Sequence, residues 1–158
     1  MDSTGRYLYT TGYWLFEDGS IVRSLNVARL GTWNCVILSA FDITGYDSVV
    51  VEDGKAVITE WDSESTVLLL LDLHGEDGIE QTAGIEEEGS LASPHIEGGH
   101  LFITGTDSSG MMVYSILGDH FDKVGFFRLD RTVESIQVVD GVAYVVQGMY
   151  GLSRIPLT

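Results

Sequence analysis

The sequence predicts an all-β protein, and three observations carry that expectation. Short apolar runs alternate with polar residues, nineteen glycines stand against two prolines, and no stretch of about ten residues keeps a 3.6-residue apolar period. Many turns joining many short strands is the simplest reading. The 158 residues are enough for one domain with a sizeable core, and 44% hydrophobic content excludes a disordered acidic tail. The longest apolar run, residues 67–71, is strand-sized and far short of the roughly 18–20 residues a membrane helix needs.

The elements recur. A glycine followed by an alternating apolar strand appears at Gly5, Gly54, Gly99 and Gly141, spaced about 49, 45 and 42 residues apart. Each unit reads as four strands, a to d. Strand a is expected at 49–51, 95–96 and 136–139, and strand b at 6–10, 55–59, 100–104 and 142–146. Strand c is expected at 21–27, 67–73, 111–117 and 152–157, and strand d at 35–43, 81–85 and 124–129. The a–b turns carry Asp53-Gly54, Gly98-Gly99 and Asp140-Gly141, pairs suited to turns that demand positive φ. Ser48, Ser93 and Ser135 stand six residues before the last three glycines, and Thr10, Thr59 and Thr104 five residues after the first three. A nucleophile would not be triplicated in step, so these serines read as hydroxyls bonding backbone. The b–c loops, 13–20, 60–66, 106–110 and 148–151, vary most in length, as exposed loops do.

A four-stranded antiparallel unit of this size cannot hide both faces alone, and stacking such units around an axis hides both. A β-sandwich would show similar strand spacing without needing the pattern to recur in step. The expected fold class is therefore an all-β β-propeller with about three to four four-stranded antiparallel blades. The units are 1–47 (strands b–d), 48–89, 90–131 and 132–158 (strands a–c). Such a set is an arc of a larger ring, with a closed four-unit ring as the alternative; an arc would leave apolar blade faces for the remaining blades of its parent chain.

Residues Ser135-Ile136-Gln137-Val138-Val139-Asp140-Gly141-Val142-Ala143-Tyr144-Val145-Val146, then Gly151-Leu152-Ser153-Arg154-Ile155-Pro156-Leu157, resemble an LVIVD-type propeller repeat. They are also similar to the broader group of secreted proteins with a C-terminal β-propeller domain. The family's usual Val-Asp ending of strand c is Ile155-Pro156 here, while Leu71-Asp72 keeps the acidic position. The resemblance implies a non-catalytic, secreted or cell-surface repeat; a cytoplasmic location stays open. Kelch and Trp-Asp repeats are disfavoured, because their signature pairs do not stand at the required offsets.

The formal charge of −16 excludes nucleic acid and anionic lipid as partners, and no membrane insertion is expected. The single cysteine, Cys35, precludes an internal disulfide and reads as a buried structural thiol in the apolar run 35–38. The N-terminus has neither a basic n-region nor an apolar h-region, so no signal peptide is read there, and Met1 reads as an added start or an internal boundary.

Aromatics concentrate in the first unit: Tyr7, Tyr9, Tyr13, Trp14, Phe16, Trp33, Phe41 and Tyr46. Tyr13, Trp14 and Phe16 fall in the longest b–c loop and are the candidate ligand-binding residues, for a protein or carbohydrate partner. They would equally serve to pack a neighbouring blade. His95 and His100 flank an a–b turn, and Asp119 and Asp122 occupy a c–d loop matched by 74–78; these four are the candidate metal residues, with calcium the ion that loop carboxylates suit. The bland readings are rim histidines and solvated turns. Glu86-Glu87-Glu88 reads as a solvated d–a loop, and Asp62, Glu64 and Asp107 as b–c loop acids. No cofactor and no catalytic residue is assigned. The expected function is a non-enzymatic binding or scaffolding module acting through rim loops. The alternative is part of a propeller hydrolase, lyase or cofactor oxidoreductase with its site in a central channel, which would need His95, Glu97 and His100 to converge with acids from other units.

Overall fold

A computed structural model describes residues 6–32, 34–43, 48–105, 110–129, 131 and 133–157. Gly5, Trp33, Tyr46 and Asp107 of the expectations above lie outside the described residues. The two-residue alternation makes strands throughout. In chain order these are β1 (Tyr7–Leu15), β2 (Ile21–Leu30), β3 (Cys35–Ile43), β4 (Ser48–Glu52), β5 (Lys55–Trp61), β6 (Ser65–Leu73) and β7 (Ile79–Glu88). They continue with β8 (Leu91–Glu97), β9 (His100–Gly105), β10 (Gly110–Ser115), β11 (Asp122–Arg128), β12 (Ser135–Val139), β13 (Val142–Val146) and β14 (Leu152–Pro156). Among the described residues the helical elements are single 3-10 turns at Gly75–Asp77 and Gly148–Tyr150.

Consecutive strands pair antiparallel into four sheets, ordered β1-β2-β3, β4-β5-β6-β7, β8-β9-β10-β11 and β12-β13-β14. Tight two-residue turns join the first pair of strands in the last three sheets. Asp53 and Gly54 have φ of 44° and 80°, Gly98 and Gly99 59° and 74°, and Asp140 and Gly141 51° and 71°. These left-handed pairs match the twist of the flanking strands, which explains the Asp-Gly and Gly-Gly dipeptides.

The sheets pack in chain order, each against the next. Leu25 and Ile43 of the first sheet meet Ala56, Ile58, Leu71 and Leu73 of the second. Val57, Leu68 and Leu70 of the second meet Leu101, Ile103, Met112 and Tyr114 of the third. Phe102, Met111 and Val113 of the third meet Ile136, Val138, Ala143 and Val145 of the fourth. The second and third sheets thus bury both faces, and no described core joins the first sheet to the fourth. The leading strands β4, β8 and β12 lie side by side. Polar ties cross the same seams. Lys55 Nζ sits 2.6 Å from Asp72 Oδ1 and donates to Gly118 O at 3.2 Å; Arg29 pairs with Glu76, and Lys123 with Glu87 at 3.1 Å. Burial of Tyr114, with the Glu87 carboxylate near it, holds its phenol protonated far above the usual range.

Several expectations change. Cys35 is exposed, not buried, because β3 is an outer edge strand whose first residues, Cys35 to Ile37, are uncovered. The first three residues of the expected loop 13–20 are strand: Tyr13, Trp14 and Leu15 pair with Arg23, Val22 and Ile21, and the turn closes only at Phe16, which donates its N–H to Ser20 O at 2.9 Å. Glu86 to Glu88 end β7 rather than forming a loop; Glu86 Oε1 accepts the Ser65 hydroxyl at 2.6 Å. Ser93 is out of step with Ser48 and Ser135. A bulge between Ala92 and His95, with Ser93 at φ 53°, puts Ala92 opposite Thr104, where Ser48 faces Thr59. Ser93 Oγ donates instead to Glu134 O at 2.7 Å in the next sheet.

The first sheet is also displaced by one residue against the expected alignment. Val57 and Phe102, three after their glycines, face the following sheet. In the first sheet the residue facing the second is Tyr9, not Leu8. Hydrogen bonding agrees: Leu30 N bonds Arg6 O and Phe16 N bonds Ser20 O, so even-numbered β1 residues are tied to β2, and Thr11 rather than Thr10 matches Thr59.

Candidate binding surface

The seams fix which turns share an end of the molecule. One cleft brings Tyr7 to Gly54 and His74, a second brings Asp53 and Lys55 to Gly99 and Leu117, and a third brings Gly98 and His100 to Gly141 and Leu157. The a–b turns and c–d loops of neighbouring sheets therefore stand on one rim. Strands this short place the b–c tips on the opposite rim.

That opposite rim exposes large apolar side chains at every described tip. On the β1–β2 hairpin Tyr13 is 74% exposed and Trp14 51%, with Leu15, Phe16 and Ile21 open beside them. The β5–β6 tip exposes half of Trp61, and the β13–β14 tip exposes Met149 at 91% and Tyr150 at 61%. Comparable exposure occurs elsewhere, at Leu117 and Phe126, so what sets the tips apart is that they share one end of the molecule. The backbone beneath each tip is tied down. Asp18 Oδ1 accepts Ser20 N–H at 2.8 Å, and Asp62 Oδ1 accepts Ser65 N–H at 3.0 Å and Glu64 N–H at 3.2 Å. The Ser20 bonds hold the Asp18 carboxyl below the ordinary carboxylate range, and the Ser65 and Glu64 N–H groups do the same for Asp62. Under Tyr150 the Arg131 guanidinium lies 3.8 Å from the ring centroid, which orients that ring.

The structure brings Tyr13, Trp14 and Phe16 onto one hairpin end, as a surface and not a pocket. Trp61, Met149 and Tyr150 were missed by sequence reasoning. Their positions in b–c loops were the available signal, weak because each stands nearly alone. The candidate metal residues do not come together. Register places His100 opposite Glu97 and His95 opposite Phe102, so the two histidines are not cross-strand partners. His95 Nε2 lies 3.2 Å from Val138 O and 3.8 Å from Glu97 Oε2, whereas His100 Nδ1 lies 3.1 Å from Gly98 O. Asp122 pairs with His120 at 2.9 Å, and Asp119 is exposed. Among the described residues no group of three or more His, Cys, Asp or Glu is placed to hold a metal ion.

The cleft between the third and fourth sheets, about 480 Å³, admits Glu97 and His100 among mainly apolar walls including Phe102, Val113 and Phe127. Glu97 Oε1 accepts Asp140 N–H at 2.9 Å, so this carboxylate is spent on the turn of the next sheet. Among the described residues no acid from another sheet and no His95 lines the cleft, so the described residues do not bring together the convergence a channel active site needs there.

No family model matches the chain, and no curated protein matches it. Solved structures do. The computationally designed Ika4 protein superimposes with a TM-score of 0.57 at 12% identity, covering 87% of this chain and 85% of that one. Myxococcus xanthus glutaminyl cyclase superimposes with a TM-score of 0.53 at 12% identity, covering 93% of this chain and 65% of that one. The chain thus spans a little under two thirds of the cyclase. At this identity the likeness carries the fold alone.

Proposed function

We propose that this chain is a β-propeller-type binding module whose four sheets are successive blades of an arc, with partner contacts on the rim of b–c tips. Three features support the blade reading. Among the described residues each core cluster joins a sheet to its sequence neighbour, the leading strands β4, β8 and β12 lie side by side as strands near an axis would, and the similar glutaminyl cyclase is propeller-like. The observation that carries the binding reading is the exposed aromatic or thioether side chain at every described b–c tip, above tightly bonded turns. Rigid aromatic groups supply contact area at low entropic cost, to a sugar ring or to an apolar protein surface.

The test is a panel of neutral oligosaccharides and folded protein partners, read by tryptophan emission and by calorimetry on the wild-type chain and the Trp14→Ala/Trp61→Ala variant. The reading expects a ligand whose affinity falls at least about tenfold in the variant, the size of one lost aromatic hot spot. Ligands that bind both forms equally, through the cleft rim, would overturn it.

A further inference from the structure

A cleft of about 270 Å³ opens between the second and third sheets on the rim of a–b turns. Both of these sheets carry four strands, so its walls involve neither the first nor the last strands of the chain. One wall is charged. Glu52, Lys55 and Asp72 stand opposite one another in register, so their side chains share the face toward the third sheet. Lys55 is already committed: its ammonium lies 2.6 Å from Asp72 Oδ1 and donates to Gly118 O at 3.2 Å. Glu52 is not. Its equivalent one sheet on, Glu97, accepts the N–H of Asp140, the first residue of the next a–b turn, at 2.9 Å. For Glu52 the matching donor would be Gly98 N–H. Both residues line the cleft, yet among the described residues no hydrogen bond or ion pair takes up the Glu52 carboxylate. The facing wall is apolar and open to close approach. Ile96 and Ile116 are buried there, Gly98 and Gly99 leave the turn without side chains, and Leu117, folded over Gly99, is 71% exposed.

We propose that this cleft binds a small organic cation, a guanidinium or ammonium head on a short aliphatic stem, with Glu52 taking the charge and Leu117 covering the stem. The sign of the charge follows from the groups at hand. A partly buried carboxylate without a partner has lost water and gained nothing in return, so a cationic donor gives it a charge-assisted hydrogen bond. An anion would meet Glu52 and Asp53, and the neighbouring ammonium is held by Asp72. The stem follows from the other wall, where an aliphatic chain laid on Ile96, Ile116 and Leu117 removes apolar surface from water. Its length follows from the volume, which is below the roughly 300–1,000 Å³ of sites for drug-sized molecules. The cleft stands on the rim opposite the aromatic tips and neither uses nor requires them.

The probe is butylguanidinium, titrated into the full 15N-labelled chain and read by amide chemical shifts. Saturable shifts are expected at Glu52, Gly98, Gly99 and Leu117. Glu52→Gln should weaken binding at least about tenfold, the loss of one charged hydrogen bond, and Leu117→Ala by about threefold. Glu88→Gln removes the same charge from the other end of the second sheet and should leave the affinity unchanged. Butylurea, a neutral analogue of similar shape, should not bind; this comparison on the wild-type chain keeps the test decisive if a variant unfolds. N-acetylarginine methylamide separates the two sources of such a cation. Binding equal to that of butylguanidinium supports the cleft as a seat for a polypeptide's arginine, and binding of butylguanidinium alone supports it as a seat for a free small molecule. Absence of saturable shifts, equal affinity in Glu52→Gln, equal binding of butylurea, or shifts spread evenly over the acidic surface overturns the proposal.

Discussion

Asn26 in the first sheet and Leu69 in the second occupy the same place in their sheets, one residue past the buried Leu25 and Leu68. Leu69 packs toward a neighbouring sheet. Asn26 looks away from one and spends its amide locally, accepting from Ser24 Oγ at 3.1 Å and reaching Thr10 O at 3.4 Å. The third sheet repeats the aliphatic choice with Met112, packed on the second sheet. The contrast extends across the face: Thr10 stands where the inner sheets place Ile58 and Ile103. A sheet between two neighbours is apolar on both sides, and the first sheet is apolar on one. Side-chain chemistry here follows the number of neighbours, not the strand pattern, which is common to all four.

The largest expected effect separates the two regions directly. Leu70→Ala, at the seam of the second and third sheets, should cost about 2–5 kcal/mol in denaturant unfolding, whereas Leu8→Ala on the outer face of the first sheet should cost less than about 1 kcal/mol. Equal losses would erase the distinction. Next comes Thr104→Val, which leaves the Ala92 carbonyl without its side-chain partner and should cost about 1–2 kcal/mol; Thr11→Val should fall within about 0.5 kcal/mol, because Thr11 is exposed. Asn26→Leu sharpens the comparison differently. It should lose about 1 kcal/mol in denaturant unfolding, because Asn26 is buried and its amide no longer accepts from Ser24 Oγ or reaches Thr10 O. The smallest effect is at the Asp62 turn. Its folded carboxyl titrates below 3.8, so its stabilisation is present above that pH and fades as pH falls through the lower folded value; an NMR titration of Asp62 with a midpoint at or above 3.8 would contradict the turn geometry.

The strand positions were legible because glycine turns punctuate a two-residue alternation, and turn chemistry at Asp53-Gly54 and Asp140-Gly141 is local. Register in the first sheet was not. Thr10 and Thr11 are adjacent and both suit a strand, so alternation alone cannot choose between faces. The Ser93 bulge was hidden for a similar reason, since an inserted residue keeps the spacing of the flanking runs. Cys35 misled because an apolar run predicts burial only where a neighbour exists to cover it, and β3 ends outside the second sheet. Tyr13, Trp14 and Phe16 were legible as a cluster, but Trp61 and Tyr150 join them only through the shared rim, which depends on how the sheets stack. The histidines failed to pair because Glu97, not His95, is the cross-strand partner of His100.

Residue-resolved hydrogen exchange would examine the whole arrangement in one experiment, since protection reports both sheet pairing and cover. The amides of β5, β6, β9 and β10 should exchange slowest, and in β1 the Thr10 and Gly12 amides should be protected while those of Thr11 and Tyr13 exchange freely. Protection that is uniform over all four sheets, or strongest in β1 and β14, would mean that the sheets do not shelter one another in chain order.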